Sequence, residues 1–429
     1  MILQNKIDRL AFWVCVILLA LLPFHAFLFT WFHSFFWQQD FVIFVQAWKE
    51  ILLGILGILA LFKLFLTLKF PSSKSFWLGF SLILLAVVYL VFDEGILLQR
   101  VLGLRNLTLF LGIFLAVKFF DFEKERVEKL KKIVLIASGL VVLFALLQKF
   151  ILPPDFLVSF GYSENVSSWL PGGNLPAYHL VEGKADLIRL QSTFAGPNQL
   201  AAFLIVILPF AISELWRKLK SASLAKKKVQ AVWEVFLILG GVLTLIFTFS
   251  RSAWLGGICI FLVFAIYQWR KNLPKKIKQK LLFGGVLGII ALALLTFFQP
   301  NFREIFLRDA STLAHFERSR EAFTLMLQNP LGVGLGETGG VSQRFENSLT
   351  PENSYLSFAL ELGWLGGILF LAFFVMLLFE LRKSNSPLFF SLVGVLTIMF
   401  FLHPLEDAPT ALILFLLAGL NYNSAKIQT

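Results

Sequence analysis

The chain has 429 residues, 58% of them hydrophobic, with 50 phenylalanines and a mean hydropathy of +0.80. A soluble globular domain could not hide that much apolar surface, so the composition excludes one and indicates an integral membrane protein with many helices. The net charge of +12 does not indicate nucleic acid, because the basic residues form short clusters between hydrophobic runs, and the two cysteines, Cys15 and Cys259, both lie inside such runs and imply no disulfide framework or zinc site.

A spanning helix needs about 20 mostly apolar residues. On that criterion the sequence predicts about twelve: 10–32, 41–68, 76–92, 97–120, 133–152, 196–216, 231–249, 252–269, 281–299, 354–379, 387–403 and 408–421. Lys6 and Arg9 precede the first as they would in a signal peptide. The apolar stretch then runs to about Phe32 without a small-x-small cleavage site, so it reads as a retained helix. The expected class is an all-α, polytopic integral membrane protein with a large, partly helical loop before helix 10. Its organisation follows: helices 1–5 over residues 1–152, an extracytoplasmic loop at 153–195 and helices 6–9 over 196–299. A large extracytoplasmic loop spans 300–353, and helices 10–12 with a cytoplasmic tail fill 354–429.

Charge tests this segmentation. With the N-terminus inside, most of the 38 lysines and arginines fall in every second loop, and most alternate loops are nearly bare. The positive-inside rule then predicts cytoplasmic termini and both long loops outside. The remainder is Lys49, Arg100, Arg105, Lys149, Lys184, Arg189, Arg251, Arg303, Arg308, Arg318, Arg320 and Arg344. All lie outside or in the outer part of a helix, where the rule disfavours them, so an anion site at the outer surface is the simplest reason. Arginine dominates this set and suits bidentate phosphate recognition better than lysine.

Four stretches carry the chemistry. In TFSRSAWLG, Arg251 opens helix 8; it reads either as a snorkelling anchor beside a belt Trp254 or as an anion ligand at a helix start capped by Ser250 and Ser252. In RLQSTFAGPNQLA, Gly196-Pro197-Asn198 suits an ordinary loop-to-helix junction, which leaves Arg189 unexplained. The outer loop predicts an amphipathic helix capped by Ser311 or Thr312 and ended by Asn329-Pro330. Its apolar face (Leu313, Phe316, Phe323, Leu327) would lie on the membrane surface, with His315, Arg318 and Arg320 above it as solvated or ligand-binding groups. Gly334, Gly336 and Gly339 match G-x-G-x-x-G, but no strand precedes them and no helix opens there, so they read as flexible backbone. In PENSYLSFALELGWLGG, Glu352 and Asn353 begin helix 10 with Tyr355 just inside it, as a helix cap or as a general base facing the arginines. Glu361, deeper in the same helix, would face the bundle interior. His403, Glu406 and Asp407 form the only compact outer ligand set, an alternative metal candidate.

In their order these stretches resemble the O-antigen ligase/polymerase family of bacterial membrane glycosyltransferases, by motif over roughly residues 185–380. The resemblance implies a GT-C-like fold in the cytoplasmic (inner) membrane with its active site facing the periplasm. It implies transfer of an undecaprenyl-diphosphate-linked glycan to a hydroxyl of an acceptor glycan or glycolipid, with inversion and with neither metal nor cofactor, in building cell-envelope polysaccharide such as lipopolysaccharide. Arg189 and Arg251 match the arginines the family uses around the donor diphosphate, and Arg105, Arg318 and Arg320 would assist. Asn198, His315, Asn353 and Tyr355 join them as substrate-binding candidates. Many members have His-Asn where this chain has Glu352-Asn353, which makes Glu352 the candidate base, with His315 able to share the role. A carboxylate base would keep activity at more acidic pH. The sequence does not separate a ligase from a polymerase that extends the lipid-linked glycan. A lipid-glycan flippase is the rival from another class; it predicts internal repeats and mid-membrane charges, and no clear repeat is visible.

Overall fold

The computed structural model describes residues 2–35, 39–164, 174–181, 184–220, 224–270, 309–345, 351–384 and 386–426. The span expected at 281–299 lies outside them, as do Arg303 and Arg308. The described helices are α1 (Ile2–Leu21), α2 (His25–Phe35), α3 (Gln39–Thr67), α4 (Lys74–Phe92), α5 (Leu97–Val117), α6 (Lys124–Phe150), α7 (Pro197–Lys220), α8 (Leu224–Phe247) and α9 (Arg251–Arg270). After them come α10 (Asp309–Gln328), α11 (Gly339–Ser342), α12 (Ser354–Glu361), α13 (Gly363–Lys383), α14 (Leu388–Ile398) and α15 (Ala408–Lys426). Among the described residues, seven helical stretches are long and apolar enough to cross a membrane, and four shorter apolar helices accompany them.

Apolar side chains recur at helical spacing on outward faces: Ile51, Ile55, Ile58, Phe62 and Phe65 on α3, and Leu365, Ile368, Leu371, Val375 and Phe379 on α13. Stripes of that size are stable only against lipid. The chain is a multi-pass membrane protein. Inside the bundle, α5, α13 and α15 meet through Phe114 and Phe373, edge to face at 5.5 Å, and through Phe110 and Phe415 at 4.8 Å. Each such aromatic pair contributes about 0.5–1.5 kcal/mol beyond the area it buries.

The two ends of the bundle differ. At one end Lys63 (α3) pairs with Asp8 (α1) at 2.6 Å and Asp121 at 3.2 Å. Lys118 lies 3.8 Å from Glu380 (α13), whose carboxylate also accepts the Ser75 hydroxyl. Lys63 and Lys118, two of the cations assigned above to basic loops, are therefore buried in ion pairs at helix ends. The opposite end carries the starts of α7, α9, α12 and α15, and the candidate site with them.

Four local features depart from the expected elements. The first span is interrupted by a 3-10 turn, Leu22–Phe24, because Pro23 has no N–H to continue the ladder. Thr193 satisfies the break: its hydroxyl donates to the Pro23 carbonyl at 2.6 Å, and its own carbonyl accepts from Phe27 N–H at 3.2 Å. The single helix expected over 354–379 is two, α12 and α13, divided at Gly363 with φ +66°. There the loop after α10 docks, Trp364 N–H donating to Pro330 O at 3.0 Å and Val333 N–H to Leu360 O at 2.7 Å. The loop at 153–195 contains an antiparallel hairpin, β1 (His179–Val181) with β2 (Lys184–Arg189), pairing His179 with Arg189. Finally, α10 begins at Asp309, so Ser311 and Thr312 lie within it and do not cap it.

Candidate active site

The arginine site is built on the turn between α8 and α9. Phe249 takes φ +51°, a left-handed conformation that is costly for a bulky residue and that reverses the chain within three residues. Thr248 Oγ1 donates to Leu245 O at 2.7 Å and accepts from Ser250 N–H at 3.3 Å. Trp254 is buried, and its indole N–H donates to Leu245 O at 3.0 Å. It clamps the turn from inside and is not a membrane-belt residue. Ser250 O accepts from Trp254 N–H at 3.0 Å, and the Ser250 and Ser252 hydroxyls lie 3.4 Å apart. Arg251 opens α9 at this turn.

The hairpin delivers the second arginine to the same turn. Leu190 N–H donates to Phe247 O at 3.0 Å, which fixes the end of β2 against α8. Arg189 Nε then donates to Thr248 O at 2.9 Å, and its Nη2 donates to Asn198 Oδ1 at 2.8 Å. Asn198 thus holds Arg189. The next residues, Gln191–Thr193, dive into the bundle and are buried by carbonyls from distant elements, Ser192 Oγ donating to Val141 O at 2.8 Å. The sequence gives no local sign of this, since the partners are remote. Two guanidinium-bearing residues thus belong to one turn, and planar forks of this kind match phosphate oxygens bidentately.

His179, which sequence reasoning missed, stands across the ladder from Arg189. Burial, and then the Arg189 charge, pull its pKa from 6.5 down to about 4. An unfolded chain binds a proton here below about pH 6.5 that the folded hairpin refuses until about pH 4, so folding stability falls across that window as pH drops. His179→Gln removes this titration. Thermal unfolding of the variant in detergent is expected to lose less midpoint temperature over the same window than the native protein. Parallel losses would show that His179 titrates alike in both states.

The acid site forms where α10 packs on α12. His315 Nδ1 contacts one Glu352 oxygen, and Arg318 Nη1 reaches the other at 2.5 Å. His315, Arg318 and the buried Ala322 share the face of α10 turned to α12, while Leu313, Phe316, Phe323 and Leu327 are exposed on the opposite face. By helical period Arg320 falls among that apolar set. It is exposed and forms no ion pair among the described residues, so the structure separates it from Glu352. Asn353 caps α12, accepting from Tyr355 N–H at 3.0 Å and Leu356 N–H at 3.2 Å, and Tyr355 donates its hydroxyl to Leu396 O at 2.7 Å. These bonds fix the helix start that carries Glu352.

Both sites occupy one end of the bundle. A Cβ on Gly256, early in α9, would lie 3.1 Å from Gly394 O and 3.2 Å from Ile398, so the start of α9 is level with the end of α14. Just beyond α14, Met399 O and Leu402 O accept from Ser354 N–H and Oγ at 2.9 and 2.7 Å, which brings the start of α12 to the same level. Arg105 pairs with Glu50, whose carboxylate also lies 3.3 Å from Lys49.

The remaining candidates have structural partners. His403 Nε2 donates to Pro351 O at 2.6 Å, Glu406 accepts from Gly340 N–H at 2.9 Å, and Asp407 accepts from Thr410 N–H at 3.2 Å. His403 Nδ1 also lies 3.4 Å from Glu406, but Asp407 is turned to Thr410, and among the described residues no three histidine, cysteine or acidic side chains gather to hold one ion. Gly334, Gly336 and Gly339 all have positive φ. A side chain at Gly336 would run into the Gln99 carbonyl of α5, so this loop is glycine-rich for close approach and is not slack. Glu361 accepts from Thr338 Oγ1 at 2.9 Å, tying the same loop to the end of α12.

Residues 235–371 match the family model described as O-antigen ligase, from within α8 to within α13. Over that stretch the chain is similar to the O-antigen ligase family. The family region contains Arg251, His315, Arg318, Arg320, Glu352, Asn353 and Tyr355, whereas Arg105, Arg189 and Asn198 precede it. The α8–α9 turn thus draws one arginine from inside the matched region and the other from the hairpin before it. No curated protein matches the chain.

Proposed function

We propose that this protein is a metal-independent, inverting glycosyltransferase of the ligase type. It moves an undecaprenyl-diphosphate-linked glycan to an acceptor hydroxyl at the outer face of the cytoplasmic membrane. The carrying observation is the α8–α9 turn, where Arg189 donates to Thr248 O three residues before Arg251. When the anomeric carbon–oxygen bond of the donor breaks, the bonding pair stays with the lipid diphosphate as new negative charge. Fixed guanidinium groups stabilise that charge without reorganising, as a divalent cation would. Glu352 takes the proton of the acceptor hydroxyl as its oxygen bonds to the anomeric carbon from the opposite face, which inverts the centre.

The level end of α9, α12 and α14 supports attack and departure at one end of the bundle, and the exposed apolar face of α10 suits a helix resting on the bilayer surface. The test uses the full chain in nanodiscs with a lipid-diphosphate glycan of known anomeric configuration. The expected product is a single inverted conjugate, formed equally well in a chelator. Retained configuration would overturn the mechanism, and a ladder of repeat units would assign the polymerase reaction instead.

A further inference from the structure

The outward face of α10 carries a cation turned away from Glu352. Leu313, Phe316, Phe323 and Leu327 are exposed there, and by helical period Arg320 falls in their midst. Arg320 forms no ion pair among the described residues, although Glu317 and Glu321 stand near it on the same helix. This face continues into surface that lipid covers. α10 runs beside α12, with His315 and Arg318 at Glu352 near its start. Near its end the Met326 carbonyl accepts from the Trp364 indole N–H at 2.9 Å. Trp364 stands at the head of the outward stripe of α13, ahead of Leu365 and Ile368, and is itself exposed, in the manner of an interfacial tryptophan. Just past α10, exposed Leu331 is tied through its carbonyl to the Tyr89 hydroxyl of α4, whose end shows Val91 and Phe92. Lipid therefore meets the apolar side chains that surround Arg320.

We propose that Arg320 binds the headgroup phosphate of a phospholipid in the adjoining leaflet, and so anchors α10 to the bilayer. An arginine stem lies along apolar surface while its charged head stays in the polar layer, and the planar fork takes two phosphate oxygens. The donor diphosphate is the poorer partner, because His315 and Arg318 meet Glu352 across the helix from Arg320. Those two side chains ride on the same helix, so the anchor also sets their position against Glu352. That consequence rests on the reading of Glu352 as the base; the anchor itself does not.

Hydrogen–deuterium exchange over residues 309–328 tests the anchor in the full chain with no substrate present. Nanodiscs of phosphatidylglycerol are compared with nanodiscs of digalactosyl diacylglycerol, a bilayer lipid without phosphate. The native helix is expected to exchange about fivefold more slowly in phosphatidylglycerol, the gain of one cation at an anionic surface. Arg320→Gln should erase that difference. Phe323→Ala should speed exchange in both lipids, and since alanine is the better helix former, the change reads lost docking. Equal exchange of the native helix in the two lipids would overturn the phosphate contact, and no response to Phe323→Ala would overturn the apolar docking. Slowing that requires added undecaprenyl diphosphate would assign Arg320 to the donor instead. A native chain that shows the lipid effect yet transfers no glycan would overturn the base reading and leave the anchor standing.

Discussion

Arg251→Ala is expected to lower the transfer rate about a hundredfold to a thousandfold while leaving the protein folded. That range is what removal of one preorganised donor at a developing charge costs in other enzymes, about 2.7–4 kcal/mol of the barrier. The turn that carries Arg251 is held by Thr248, Trp254 and Leu190, so truncating the arginine leaves those bonds in place. Arg251→Lys should recover only part of the loss, because an ammonium keeps the charge and forfeits the bidentate fork. Single-turnover transfer in nanodiscs reads both variants. If Arg251→Ala acted only on donor affinity, with an unchanged rate at saturation, the arginine would bind ground and transition states equally and the leaving-group role would be wrong.

The second large effect is expected at Glu352. Glu352→Gln keeps the size and hydrogen-bonding reach of the side chain and removes its ability to take a proton, so the rate should fall about a hundredfold to ten-thousandfold. His315 and Arg318 both touch this carboxylate, so it is held in place before the acceptor arrives. Arg318→Ala should cost less, since it positions the base and does not accept the proton. The informative control is His315→Gln. A larger loss there than in Glu352→Gln would transfer the base role to the histidine, with Glu352 as its orienting partner.

How much of this was legible in the sequence depends on the range of the interaction. Long apolar runs declare α4, α6 and α7 to within a turn or two at most ends, because only composition decides whether a segment enters lipid. Gly363 was opaque, since apolar residues continue on both sides and the break follows from a loop docking there. The hairpin was hidden by its length, with three residues in β1 and six in β2. The burial of Gln191, Ser192 and Thr193 was hidden for another reason: their partners lie on α6, at Pro23 and at Pro176. Charge patterning singled out Arg189, Arg251 and Arg318 and also Arg320, but it carries no facing information. The helical period of α10 supplies that, and it sets Arg320 on the far side.

The glycines of the loop after α10 show the same limit. Composition alone reads Gly334, Gly336 and Gly339 as slack, while their positive φ values and the contact with α5 make them a packed strap. Glu352 and His315 lie far apart in the chain, and their meeting follows from the docking of α10 on α12. Family resemblance let His315 share the base role with Glu352, but neither motif order nor periodicity predicted their contact.

The central claim is that Arg189 and Arg251 act together on one leaving group. A double-mutant cycle on the single-turnover transfer rate tests it most directly, using Arg189→Ala, Arg251→Ala and the pair. If both guanidinium groups hold the same diphosphate, the pair should lose far less than the product of the single losses, because either change already disables the site. Full multiplication of two independent losses, or near-native transfer in either single variant, would contradict the account.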